Sequence, residues 1–295
     1  MSGFDRPQSI TAAHRFWDTF RTRCHHEWMT GSGSGHFNFA SVPDSYRKYL
    51  QPAIFDPWAL ELLSVAPPGR GDVVLDVAAG TGAVAHAAVA AVGATGRVIA
   101  SDISPLMLTE TGAIPPGGRA PIELLECPAD AITLPDQSVD RVYCQQGLQF
   151  MPDRAAVMAE LHRVLRPGGT VAVAVWSDQA SPEPFATYAS ILQGLDVAEP
   201  YPHAYDTSTV TMSEDDVEGL LVGGSFLDVT VRTVELPLSW PEPSRAAMGI
   251  LGSSFGPAVL KLNPEEQDSV FNSILQDDLS SGAVMAAVLG WATRD

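Results

Sequence analysis

The acid and amide side chains that could hold a polar ligand fall at recurring places, each just after a short apolar run. Asp76 lies within the run 73–77, and four residues later comes Gly80-Thr81-Gly82, inside the segment VVLDVAAGTG over 73–82. Small residues at such a turn let the backbone approach a ligand, and the alanine-rich stretch 83–92 predicts a helix whose first amides face it. Asp102 follows a second apolar run, twenty residues after Gly82. A carboxylate there can accept from both hydroxyls of a ribose. Taken alone, an Asp after a strand is more often a turn residue or the N-cap before Ser104-Pro105, and it is the combination with the first segment that favours the ligand reading. Asp130, in CPADAITLP over 127–135, offers an acceptor for an exocyclic amine beside an apolar wall, and its plainer reading is an ordinary turn. A fourth run ends in YCQQGLQF over 143–150, which carries Gln145, Gln146 and Gln149. The glycine spacing is not G-x-G-x-x-G, which argues against a dinucleotide-dependent oxidoreductase.

Taken in order across residues 70–177, and closed by LRPGG at 165–169, these segments resemble the class I S-adenosylmethionine-dependent methyltransferases. Within that family the resemblance is closest to the group of ubiquinone and menaquinone C-methyltransferases. It implies S-adenosylmethionine as cofactor, held by Asp76, Ala78, Ala79, Gly80, Thr81, Gly82, Asp102, Ile103, Met107, Asp130, Ala131, Gln145 and Gln146. In this reading Asp76 faces the cofactor's amino group, Asp102 the ribose, Asp130 the adenine amine, and the tip of the fourth strand lies under the methionine part. Ala78 stands where many relatives have glycine. Family members methylate carbon, oxygen or nitrogen on quinones, isoprenoids, polyketides and other metabolites, so the acceptor stays open. A protein of the same fold that binds the cofactor without transferring methyl, as a cyclase would, is the alternative.

To place such residues together, the chain needs parallel strands with helices on both faces. Short apolar runs at 73–77, 97–101, 122–126, 141–145 and 171–176 alternate with helical stretches at 83–92, after Ser104-Pro105, and at 153–165. Further on, 185–195 reads as a helix, Ser213 to Asp216 as a capping pattern opening another, and 227–234 and 283–291 as an antiparallel closing pair. Helices are expected at 244–255 and 264–275 between them. The expected fold is therefore α/β, a Rossmann-like sheet of seven mostly parallel strands. Residues 1–68 form a helical N-terminal cap with helices at 11–29 and 43–65 around a flexible GSGSG loop at 31–35. Residues 69–295 form the methyltransferase domain, with a helical lid at 237–281.

Composition narrows the partners. A net charge of −18 lacks the basic stripe that nucleic acid requires, and no apolar run is long enough to span a membrane. The polar start and three scattered cysteines point to a soluble, cytoplasmic protein without disulfides. Cys24-His25-His26-Glu27 would point to different sides of a helix, so no metal site is expected. Residues 1–50 carry +2, leaving −20 on the rest, and combine Phe16, Trp17, Phe20, Trp28, Tyr46 and Tyr49 with Arg21, Arg23, Arg47 and Lys48. That mixture suits a small, mostly apolar acceptor with or without an anionic group. Methyl transfer from a sulfonium needs positioning and desolvation more than acid catalysis. Oxygen acceptors need a base such as His203, His25 or His26, whereas an electron-rich carbon needs aromatic faces and polar groups. Gln149, Tyr46 and Tyr49 are the acceptor-side candidates, with His203 as the base.

Overall fold

The computed structural model describes residues 41–112, 121–201, 203–277, 279 and 283–295. The expected helix at 11–29, the GSGSG loop and the Cys24 to Glu27 group lie outside the described residues. The stretch expected as one helix over 43–65 is three. A short α1 (Ser41–Ser45) leads into a π-helix over Tyr46–Phe55, which runs straight into α2 (Asp56–Val65). Pro52 brings no N–H to that wide turn, and the Asp56 N–H reaches five residues back to the Gln51 carbonyl. The Lys48 carbonyl, one turn before Pro52, accepts instead from the Arg245 guanidinium at 2.6 Å.

Strand alternation sorts the side chains that follow into two layers. In β1 (Val73–Val77), all five residues are buried, because helices cover both faces. Val74 packs with α2, with α3 (Ala83–Val92), and with Ala100 of β2 (Arg97–Asp102). Val73, Leu75 and Val77 join Ile99 in the opposite cluster. Asp76 has the parity of Val74, so its carboxylate faces the start of α3. After β2 come α4 (Pro105–Gly112), β3 (Ile122–Glu126) and β4 (Val139–Gln145), then α5 (Arg154–Val164), capped by the Asp153 side chain on the Ala156 N–H, and β5 (Leu165–Ser177). The LRPGG segment belongs to β5, where pairing with β4 jumps from Val139↔Leu165 to Arg141↔Thr170.

These five strands pair in parallel in the order β3-β2-β1-β4-β5. Crossovers on either side of the β1/β4 boundary run in opposite directions, which opens a crevice at the strands' C-terminal ends. Beyond β5 lie α6 (Phe185–Gly194), a two-residue β6 (Thr211–Met212) beside the end of β5, and α7 (Glu214–Gly223), with the expected Ser213–Asp216 capping box. Next is β7 (Leu227–Pro237). Helices α8 (Pro243–Gly249), α9 (Gly256–Lys261) and α10 (Pro264–Gln276) precede β8 (Val284–Thr293), which pairs antiparallel with both β5 and β7. The expected mostly parallel Rossmann-like sheet of seven strands is thus present, with β6 as a short addition. Residues from α8, α10, the π-helix and α2 share one apolar cluster with the sheet face that carries Tyr143 and Trp176.

Candidate active site

A cavity of about 500 Å³ opens at the crevice, lined from the tips of β1, β2, β3, β4 and β5 and from the π-helix. Its first half is built from successive strand tips. After β1 the chain turns through Ala78 (φ 55°), Ala79 and Gly80 (φ 56°), and all three line the cavity together with Thr81. Asp102 braces this turn: its carboxylate accepts from the Gly80 N–H and the Ser104 N–H, both at 2.8 Å. Burial raises its pKa while those backbone donors pull it down. Asp76 is buried almost completely and accepts from the Ala85 N–H at 2.9 Å. Burial, with the nearby Asp102 charge, pushes its pKa up to about 8 against that one donor. Ile103, Met107 and Asp130 complete this half.

The expected residues Gly82, Ala131, Gln149 and His203 sit outside the lining. Gly82 holds the N-terminus of α3 against α4, where a Cβ would lie 2.6 Å from the Thr111 side chain, so close packing explains this glycine. Ala131 is exposed in a turn closed by its own N–H to the Pro128 carbonyl. Gln149 is buried in a 3₁₀ turn over Leu148–Phe150, and its side chain does not border the cavity. The proposed base His203 is likewise absent from the lining. It is exposed at a positive φ of 62°, because the turn that brings Tyr201 and Ala204 to the cavity points it to solvent.

The second half is aromatic. Tyr46 lines it, stacked on Phe55 with ring centroids 4.6 Å apart. Trp176 at the end of β5 lies between Phe55 and Phe185, and Phe150, Tyr201 and Phe255 extend the wall. Tyr49, expected beside Tyr46, is buried elsewhere, under the Lys48 ammonium and the Arg245 guanidinium. Arg47 does not reach the cavity either: it pairs with Glu110 of α4 at 2.5 Å and with Asp44 at 3.5 Å. Among the described lining residues there are five carboxylates and no lysine, arginine or histidine. Asp153 and Asp206 of those five are N-caps.

Sequence reasoning missed the residues that fasten the N-terminal helices to this site. Thr81 donates to the Gln51 side-chain carbonyl at 2.5 Å, and the Gln51 amide donates to Asp56 at 3.0 Å. This links the turn after β1 to the π-helix and the start of α2. The signal was a polar glutamine between the buried Leu50 and Ile54. Gly147 was also missed: a Cβ there would stand 2.7 Å from the Ala78 Cβ, so the tips of β1 and β4 approach only because it is glycine.

A parallel sheet with acids at consecutive tips beside a reversal of strand order is a nucleoside-cofactor enzyme's architecture. Comparison with known proteins narrows this. A family model described as a methyltransferase domain matches residues 75–173. Over 172 residues the chain is 32% identical to the ubiquinone/menaquinone biosynthesis C-methyltransferase UbiE of Bordetella avium, covering 52% of this chain and 67% of that protein. Coverage of such curated relatives runs from about half to two thirds of their length. The Haemonchus contortus phosphoethanolamine N-methyltransferase 2, solved with phosphomonomethylethanolamine and S-adenosylhomocysteine, matches with a TM-score of 0.54 at 17% identity, over 87% of this chain and 58% of that one. The [4+2]-cyclase SpnF matches with a TM-score of 0.51 at 15% identity over 81% of each chain, a likeness of fold. The chain belongs to the class I S-adenosylmethionine-dependent methyltransferases, close to the ubiquinone/menaquinone C-methyltransferase group. Among the described residues no helix is long and apolar enough to cross a membrane, and no cluster of three or more His, Cys, Asp or Glu is placed to hold a metal.

Proposed function

We propose that this enzyme methylates an electron-rich carbon of a small, uncharged, mostly apolar molecule. The observation that carries the reading is the two-part cavity. Acids at the tips of β1 and β2 and after β3 adjoin an aromatic half with no basic side chain among the described lining residues. The residues present fit S-adenosylmethionine. The left-handed turn at Gly80 leaves open space where a Cβ would stand, and Gln145 keeps a buried side-chain oxygen without a partner. Asp76 and Gln145 would hold the cofactor's ammonium, Asp102 the ribose hydroxyls and Asp130 the adenine amine. When bound, the cofactor supplies an activated methyl on a sulfonium, whose departure needs no proton.

The chain's own task is then to orient the acceptor and keep water away. Tyr46, Phe55, Trp176 and Phe185 supply apolar surface and ring faces that favour positive charge developing on the acceptor. Burial raises the Tyr46 hydroxyl well above its ordinary pKa, so it is a proton donor at neutral pH rather than a base. With His203 turned to solvent, the described lining offers no imidazole for deprotonating an oxygen acceptor, which favours carbon. The test is incubation with methyl-labelled S-adenosylmethionine and a panel of electron-rich aromatics, with products resolved by NMR. A labelled methyl on carbon supports the reading. Methyl on oxygen or nitrogen alone, or cofactor binding with no methyl transfer to any acceptor, overturns it.

A further inference from the structure

Five buried side-chain polar atoms without a hydrogen-bond partner fall within five residues at the tip of β4: the Gln145 oxygen and both amide atoms of Gln146 and Gln149. Buried polar groups are normally paired, so such a concentration calls for a polar group from outside the chain. Gln145 has one end committed, its amide N–H donating to the Phe55 carbonyl at 2.9 Å, which leaves a fixed acceptor. Gln149 lies behind the cavity wall. Gln146 is the member whose side chain borders the cavity with both ends uncommitted, at 7% exposure.

Backbone geometry gives Gln146 its direction. Its φ of 44° breaks the strand alternation, and its N–H is held by the Ala174 carbonyl of β5 at 2.8 Å. It is therefore tied to β5, whose last residues include Trp176, while the next residue, Gly147, packs against Ala78 on the cofactor side. A neutral amide offers one donor end and one acceptor end. That pair matches a hydroxyl, which both accepts and donates, better than a carboxylate, which only accepts. No basic side chain on the described lining competes for an anion.

We infer that Gln146 is the specificity-determining residue for the acceptor, reading an uncharged hydroxyl on the molecule to be methylated. The inference rests on the proposed function and goes beyond it by assigning this side chain to the acceptor instead of the cofactor. A hydroxyl proton donated to the Gln146 oxygen would also leave more electron density on an aromatic acceptor, helping carbon attack.

The test uses the full chain loaded with S-adenosylhomocysteine and a shape-matched pair of probes, 2-naphthol and 2-methylnaphthalene. The wild type should prefer 2-naphthol by about tenfold, the size of one buried neutral hydrogen bond. In both Gln146→Leu and the unbranched Gln146→Met the preference should vanish, while affinity for S-adenosylhomocysteine and the melting temperature hold. The inference is overturned if either folded variant keeps the preference, if 2-naphthol fails to bind the loaded wild type, or if the variants lose cofactor affinity with the preference intact. Failure of the wild type to bind S-adenosylhomocysteine at all would instead overturn the proposed function.

Discussion

Two buried carboxylates beside the turn after β1 are held by different numbers of backbone donors, and each makes its own prediction. Asp102 is held by backbone N–H donors from Gly80 and Ser104, with lone pairs left for ribose hydroxyls. Asp102→Ala should weaken S-adenosylmethionine binding by about 1–3 kcal/mol in calorimetry, through both the lost acceptor and the loosened turn. Asp76 has one backbone donor in full burial, and its folded pKa of about 8 lies above that of the unfolded chain. Between the unfolded value near 3.8 and about 8, the folded state holds the extra proton. The ligand-free protein must therefore lose stability as pH rises through this window. Melting curves at pH 6 and pH 9 should show that fall, and Asp76→Asn, which keeps the shape and an acceptor for Ala85, should flatten it. An equal fall in the variant would show that Asp76 is not its source.

At the scale of elements, the attachment of the π-helix is the feature most open to a substitution test. Gly252, in a 3₁₀ turn over Ile250–Gly252, touches the first turn of the π-helix: a Cβ there would stand 2.5 Å from the Tyr46 nitrogen and 2.6 Å from its Cα. Backbone cannot yield as a side-chain tip can, so Gly252→Ala should cost about 1–3 kcal/mol in denaturant unfolding. Gly194→Ala, where nothing lies within 4 Å of the added methyl, is the control and should be close to neutral. If the two behave alike, Tyr46 is not held by this contact. Gln51→Leu should cost about 1–3 kcal/mol by stranding Thr81 and Asp56, and should also weaken S-adenosylhomocysteine binding by disturbing the turn. The parallel strands were legible because short apolar runs between helical stretches are local signals. The acids at their tips were legible because they sit beside those runs. The π-helix was not, since residue spacing near three and four reads as an ordinary helix until Pro52 and the Gln51 carbonyl are seen together. The aromatic half was also hidden. Phe55, Trp176 and Phe255 are far apart in sequence, and only the packing of the π-helix and the helices before β8 against the sheet brings them to one wall.

On the scale of the whole molecule, the cavity's described wall leaves apolar surface open to water. Ile103 on the cofactor side is 71% exposed and Phe150 on the acceptor side is 52% exposed. Water at such a mouth solvates the acceptor and leaves it poorly positioned. That the N-terminal residues cover this mouth is a proposal that a deletion tests. Residues 1–40 contain Phe16, Trp17, Phe20 and Trp28 for apolar contact, with Arg15, Arg21 and Arg23 to favour a body of strongly negative charge. Asp76, Gly80, Asp102 and the Thr81–Gln51–Asp56 link all belong to residues 41–295, as do the core residues described on both faces of the sheet. Deleting residues 1–40 should therefore leave a folded protein that binds S-adenosylhomocysteine within a few-fold of the full chain. Its turnover should fall by roughly a hundredfold or more, the penalty for an acceptor no longer held in line. Calorimetry and a methyl-transfer assay on the same preparation separate the two effects. Turnover equal to that of the full chain would mean that residues 41–295 close the site unaided, and loss of cofactor binding would make the segment part of the cofactor site.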